Sequence, residues 1–220
     1  MINILIGSIA FALIAIYDWA QMRKYTWLKP LFFISGAVFY IGFTGVISTP
    51  VDINLAYWVT LGGYICFFIF TLLLIYSILV EISIHSYLNR DNEHILVETG
   101  TYALSRHPGV LWFFGAAVSI IALHPSYLTV LAAIIWTTLD VLLVWIEDRY
   151  IFPKSIPGYE KYKTTVPFLL PDKKSIRHCL KTLKPKPLST CKLSKTMCPS
   201  HRETPETRNR QTTSMEENIR

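Results

Sequence analysis

The sequence predicts an all-α, polytopic integral membrane protein with five transmembrane helices, followed by a disordered basic tail. Of its 220 residues, 52% are hydrophobic and 14% are aromatic, which is too apolar for an ordinary soluble domain of this size. The charges are unevenly placed. Residues 1–171 hold nine Lys and Arg against ten Asp and Glu, whereas residues 172–220 hold twelve against five. The basic excess therefore belongs to the end of the chain.

The first three predicted spans are the apolar stretches 2–17, 31–47 and 57–80. The first follows a start without the basic residues of a signal peptide, so we expect it to be retained as a membrane helix. Pro30 begins the second, because proline is favoured in the first turn of a helix. The third is close to the length of about 20 residues that a bilayer requires.

The fourth and fifth spans, 109–123 and 127–146, are predicted to form an antiparallel hairpin that turns near Ser126. Pro108 begins the fourth span. At about fifteen residues it is shorter than the usual 17 to 25, so we expect it to start in the membrane interface or to lie in locally thinned lipid. Because the two arms have similar lengths, Glu147 should return to the level of His107. The polar groups at the two ends should then face each other.

The loops predict the orientation. Lys and Arg occur in the loops 20–30 and 81–108 and after residue 147, whereas the loops 48–56 and 124–126 hold none. Since basic loops stay in the cytoplasm, we expect the N-terminus outside and the C-terminus inside. The boundary between the membrane domain (1–171) and the disordered cytoplasmic tail (172–220) is set where apolar periodicity stops and Lys, Ser, Thr and Pro dominate.

Three polar positions in this hairpin are candidates for chemistry. Arg106 and His107 precede a helix start, whose free N–H groups and positive dipole end attract anions such as a carboxylate. Asp140 lies within the fifth span, where an ionisable residue is costly and usually faces an interior cavity. It either lines a route for a lipid acceptor or makes a structural hydrogen bond to a neighbouring helix.

Several short motifs follow one another between residues 99 and 171. They are Gly100-Thr101-Tyr102, Arg106-His107-Pro108, the apolar hairpin, Glu147-Asp148, Gly158-Tyr159-Glu160-Lys161-Tyr162 and Val166-Pro167-Phe168-Leu169-Leu170-Pro171. In this order they resemble the C-terminal half of the isoprenylcysteine carboxyl methyltransferase and phospholipid methyltransferase superfamily, integral membrane enzymes that use S-adenosylmethionine. The resemblance covers about a third of the chain. Asp148 departs from it, since the usual pair is Glu-Glu.

The resemblance implies a methyltransferase that binds S-adenosylmethionine and acts on a lipidic or prenylated acceptor in the membrane. We expect no metal and no nucleic-acid partner. The residues implied for the cofactor are Tyr102, Arg106, His107, Pro108, Glu147, Asp148, Tyr159 and Tyr162, and the catalytic candidates are Glu147 and Asp140. Simpler interpretations stay open: Arg106 as an interfacial side chain, Glu147 as a solvated acid, and Tyr159 and Tyr162 as interfacial anchors. Glu81 and His85 form either a helix-end pair or an aid to acceptor deprotonation.

Two other function classes compete with this interpretation. Sterol-reductase-like membrane enzymes that use NADPH share the Arg-His-Pro motif, but they carry basic residues before the acidic pair, where this chain has the apolar stretch 142–146. A non-catalytic membrane protein of the nitrite-reduction accessory type is the third class. The four cysteines, at 66, 179, 191 and 198, show no paired spacing. A zinc site of Cys191, Cys198 and His201 fits no common pattern.

Overall fold

The computed structural model describes residues 1–23, 25–81, 96 and 98–182, and these residues form helices and turns without a β-strand. The all-α prediction is confirmed for this part of the chain. Five longer helices are α1 (Ile2–Met22), α2 (Pro30–Ile47), α3 (Tyr57–Ile75), α4 (Pro108–Leu123) and α5 (Tyr127–Ile146). Turns of π-helix extend α3 (Tyr76–Glu81) and α5 (Glu147–Ile151). Three shorter helices follow: α6 (Phe152–Ser155), α7 (Tyr159–Thr165) and α8 (Lys173–Thr182).

Four segments are long and apolar enough to cross a membrane: Ile2–Met22, Pro30–Ile47, Tyr57–Ile78 and Tyr127–Ser155. The fourth predicted span, now α4, is apolar but has 16 residues and is shorter than these four. Large apolar side chains cover the outer surface of the bundle, with Phe33 76% exposed and Trp58 77% exposed. Such a surface is unfavourable in water and favourable in lipid. The pattern is that of a multi-pass integral membrane protein.

Helix α1 packs against both α2 and α5. A side chain at Gly42 of α2 would collide with the backbone of Gly7 in α1, so these helices approach as closely as small residues allow. The main apolar core lies between α1, α2 and α5, where the Trp136 indole donates a hydrogen bond of 3.2 Å to the carbonyl of Ile4. Helix α3 packs against α4.

The predicted hairpin of α4 and α5 is present. Ser126 precedes α5 as its N-cap, and its hydroxyl accepts a hydrogen bond of 3.2 Å from the Thr129 amide. The turn thus lies where the sequence placed it. Its consequence is that the start of α4 and the end of α5 meet at the same end of the bundle.

The prediction of a disordered tail from residue 172 is wrong for Lys173–Thr182, which form α8. Asp172 caps this helix: its carboxylate accepts from the Ser175 amide at 2.6 Å, and its own amide donates to the Ser175 hydroxyl at 3.0 Å. The hydrogen bond from the Ser175 amide lowers the pKa of Asp172. Residues 183–220, with the suggested Cys191, Cys198 and His201 site, lie outside the described residues.

Candidate functional site

The two polar groups of the hairpin face each other, as predicted. Arg106 lies just before α4, and its Nη1 donates to both oxygens of Asp148, at 2.7 and 3.0 Å. Pro108 at the first position of α4 starts that helix directly behind His107. The ion pair is largely buried, with side-chain exposures of 11% and 12%. It joins the start of α4 to the π-helical turn after α5.

Asp148 has three further polar neighbours. The Tyr159 hydroxyl donates to its Oδ1 at 2.7 Å, and Lys163 Nζ lies 3.8 Å from its Oδ2. His107 Nε2 is 3.5 Å from Oδ1, which is too long for a good hydrogen bond. Burial and the Asp148 carboxylate raise the pKa of Tyr159, so this phenol remains a donor. Asp148 is therefore the shared partner of Arg106, Tyr159 and Lys163.

Residues 156–168 hold the segment 100–107 before α4 in place. Tyr162 donates a hydrogen bond of 2.6 Å to the Tyr102 carbonyl, and the Ser105 hydroxyl donates to the Phe168 carbonyl at 2.9 Å. Gly158 allows the sharp entry into α7, because its φ of 81° lies in the left-handed region that favours glycine. Tyr159 and Tyr162 are buried in an apolar cluster with Val166. Their hydroxyl groups hold the Tyr102 carbonyl and the Asp148 carboxylate in place.

A cavity of about 610 Å³ lies at this end of the bundle, between α1, α2, α3, α4 and α5. Its volume is in the range of small-molecule sites, about 300 to 1,000 Å³. Most of its lining is apolar. The polar side chains that line it include Tyr17, Asp18, Tyr102, Arg106, His107, Asp140 and Glu147.

His107 is the most buried ionisable group of this lining, with 5% of its side chain exposed. Its ring stacks on Phe152 at 5.8 Å and meets Phe168 edge-on at 5.2 Å. Burial holds its pKa below the ordinary value, so the imidazole is neutral at pH 7. Among the described residues, His107 Nε2 and Arg106 Nε have no hydrogen-bond partner. Buried polar atoms without partners are uncommon, and here they border a cavity.

The sequence analysis missed Asp18 of α1. Its carboxyl group is within hydrogen-bonding reach of Glu147, and Glu147 also interacts electrostatically with Asp140. Asp18 Oδ2 is buried and finds no partner among the described residues. The signal was available, because an acid at the end of an otherwise apolar span usually faces an interior cavity. Asp18 is flanked in the sequence by Tyr17 and Trp19, and such aromatic residues are typical of the membrane interface.

The structure brings six of the nine predicted site residues together around the cavity. The six are Tyr102, Arg106, His107, Pro108, Asp140 and Glu147, whereas Asp148, Tyr159 and Tyr162 are not among the lining residues. Asp148 instead accepts hydrogen bonds from Arg106 and Tyr159, and Tyr162 donates to the Tyr102 carbonyl. The suggested Glu81–His85 pair is not visible, since His85 lies outside the described residues. In the described part of the chain, no group of three or more His, Cys, Asp or Glu could hold a metal ion.

Part of the chain is similar to a known methyltransferase. Over 79 residues it is 30% identical to protein-S-isoprenylcysteine O-methyltransferase of Saccharomyces cerevisiae. The alignment covers 35% of this chain and 33% of the yeast protein, so the chain matches about a third of that relative's length. No family model and no solved structure matches the chain. The similarity is consistent with a relationship to methyltransferases.

Proposed function

We propose that the protein is an integral membrane methyltransferase that uses S-adenosylmethionine and acts on a lipidic or prenylated acceptor. In this proposal α4 completes a bundle of five spans, the N-terminus is outside, and the cavity opens toward the cytoplasm. The observation that carries the proposal is the cavity of about 610 Å³, which places Arg106, His107 and Glu147 around one space. The partial similarity to the yeast methyltransferase supports the same reaction class.

The lining residues fit S-adenosylmethionine, which carries a carboxylate, an ammonium group, two ribose hydroxyls and an adenine. Arg106 Nε and His107 Nε2 are buried polar atoms in need of partners, and they suit the carboxylate or the adenine edge. The positive end of the α4 dipole favours an anion at the same place. Glu147 suits a ribose hydroxyl or the ammonium group. The site thus offers both signs of charge.

The chain's own residues would position the reactants and exclude water. S-adenosylmethionine, when bound, supplies a methyl group whose bond to the acceptor forms as its bond to sulfur breaks, with the electron pair remaining on sulfur. Arg106 is held in place by Asp148, and Tyr102 by Tyr162. Because the cavity walls are mostly apolar, they suit a reaction from which water is excluded. Asp140 lines the same cavity seven residues before Glu147, which is two helical turns deeper, and in this proposal it would contact the acceptor.

A reductase that uses NADPH is the weaker interpretation of the same cavity. The extra phosphate of NADPH requires basic groups in addition to Arg106, and the described lining of the cavity holds no other Lys or Arg. A non-catalytic role would leave the unpartnered atoms of Arg106 and His107 without a ligand. A reductase is expected to bind NADPH, and a non-catalytic protein is expected to bind neither cofactor.

Calorimetry on the purified full-length chain in detergent tests the proposal. We expect S-adenosylmethionine or its demethylated product to bind and NADPH not to bind. His107→Ala and Glu147→Ala should each weaken binding by about 1.5 to 3 kcal/mol, roughly ten- to a hundredfold, because each removes a polar contact. Glu160→Ala, whose side chain is 71% exposed, is the matched control and should bind as the wild type does. Binding of NADPH, or of neither cofactor, would refute the proposal.

A further inference from the structure

Helix α8 has three different faces, because residues four apart lie on the same face of an α-helix. Ser175 and Cys179 are buried. Ile176 and Leu180 lie beside them and are 43% and 59% exposed, although both side chains are large and apolar. Exposed cations form the third face, and they are Lys173, Lys174, Arg177 and Lys181. The segment 173–182 contains no Asp or Glu, so this face is purely basic.

The exposed faces of α8 find little use within the described part of the chain. Among the described residues, no carboxylate forms a salt bridge with the four cations. Asp172 is close enough to Lys174 for an electrostatic interaction, but its carboxylate accepts the Ser175 amide and caps the helix. A helix whose exposed apolar side chains are bordered by Lys and Arg is typical of helices that lie in the plane of a membrane interface.

We infer that α8 is an interfacial helix that binds the anionic lipid headgroups of the membrane that the bundle crosses. Ile176 and Leu180 enter the boundary between headgroups and acyl chains, while the cations beside them contact the negative groups of the lipids. The inference goes beyond the proposed function and takes from it only the cytoplasmic position of this end of the bundle. Anionic lipids give the cytoplasmic leaflet its negative surface potential.

The fold holds both ends of α8 near the start of α4, where an apolar helix begins. Behind the helix, the Gly100 amide donates a hydrogen bond of 3.1 Å to Thr182 Oγ1 in the last turn of α8. Ahead of the helix, the Arg106 amide donates to the Pro167 carbonyl at 3.0 Å. Because α4 enters the apolar part of the bundle directly after these contacts, α8 lies at the level where headgroups surround the protein.

The combination of the two exposed faces favours an anionic lipid surface over other partners. A nucleic acid would attract the cations but would leave Ile176 and Leu180 in water. A neutral lipid surface would cover the apolar pair but would give the four cations no opposite charge. An anionic lipid surface satisfies both faces at once. It is also already present beside a protein whose other helices are long and apolar enough to cross a membrane.

Hydrogen exchange of the α8 amides tests the inference. The full-length chain is placed in nanodiscs of phosphatidylcholine alone or mixed with phosphatidylserine or phosphatidylglycerol. We expect exchange at least about tenfold slower with either anionic lipid, since each cation near such a surface changes an equilibrium constant about fivefold. Lys173→Gln with Arg177→Gln should remove most of this difference, whereas Lys173→Arg with Arg177→Lys should keep it. Lys154→Gln with Lys161→Gln, two exposed cations outside α8, is the matched control and should behave as the wild type does.

A second pair of substitutions tests the apolar contact separately. Ile176→Ser with Leu180→Ser should speed exchange of α8 in neutral and anionic nanodiscs alike, because burial in lipid does not depend on headgroup charge. Equal exchange in neutral and anionic nanodiscs overturns the inference, and so does a difference that persists in Lys173→Gln with Arg177→Gln. S-adenosylmethionine binding is measured on the same wild-type samples. Its absence would refute the proposed function and leave the lipid dependence of α8 standing.

Discussion

Replacing Asp148 by alanine should be among the most destabilising single changes at this end of the bundle. The substitution removes the partner of Arg106, whose side chain is 11% exposed, and the acceptor of the Tyr159 hydroxyl at 2.7 Å. Removing one member of a buried ion pair leaves an uncompensated buried charge and costs about 3 to 5 kcal/mol. The lost Tyr159 hydrogen bond belongs to the same network, so its cost is contained largely within that range.

Denaturant unfolding in detergent, followed by circular dichroism, measures the effect of Asp148→Ala. Glu160→Ala is the matched control, because it removes an exposed acid that lies 3.7 Å from Lys163. Exposed pairs contribute about 0 to 1 kcal/mol, so the two variants should differ by at least about 2 kcal/mol. Asp148→Asn keeps part of the hydrogen bonding and should fall between them. A loss for Asp148→Ala no larger than that of Glu160→Ala would refute the role of Asp148 as the residue that holds Arg106.

Three further predictions concern the cavity and its surroundings. Asp140→Asn should leave S-adenosylmethionine affinity unchanged in calorimetry and reduce methyl transfer to the acceptor; a loss of cofactor affinity would contradict this. Because burial lowers the pKa of His107 below about 6.5, stability from its neutral ring is fully present above that pH and declines as the pH falls through the lowered pKa. The non-titrating His107→Gln variant should therefore show a smaller decline in denaturation curves, and an equal decline would contradict this assignment. Truncation after Asp172 should lower the melting temperature because it removes α8, whereas truncation after Thr182 should preserve it; equal melting temperatures would show that α8 contributes nothing.

The hairpin and the meeting of its polar ends could be predicted because they depend on local signals. Pro108 starts α4, Ser126 caps α5, and the two arms between them have similar lengths. A helix rises by a constant amount per residue, so equal arms bring Arg106 and Asp148 to one level without any knowledge of the tertiary structure. Asp140 and Glu147 are seven residues apart, which is two helical turns, and both line the cavity.

The sequence could not predict that Glu147 and Asp148 face different neighbours. Adjacent residues of a helix point in different directions, and the spacing does not say which direction is the cavity. In the structure Glu147 faces the space bordered by α1, while Asp148 faces Arg106 and Tyr159. The spacing of Tyr159 and Tyr162 likewise put them on one face of α7, but the docking of that face against the Tyr102 carbonyl is a tertiary contact.

The sequence analysis missed both helix α8 and Asp18. Helix α8 is short compared with the tail over which the composition was averaged, whereas the partner of Asp18 is distant in the sequence. The argument for disorder averaged composition over residues 172–220, and such an average hides a ten-residue helix whose buried face consists of the small side chains Ser175 and Cys179. Helix α8 contacts the turn that carries Tyr102 into the cavity, because the Gly100 amide of that turn donates a hydrogen bond of 3.1 Å to Thr182 Oγ1. Asp18 is separated from Glu147 by more than 120 residues, and no local pattern reports such a contact. An acid in an apolar span predicts an interior cavity, but its partner is known only once the helices are packed.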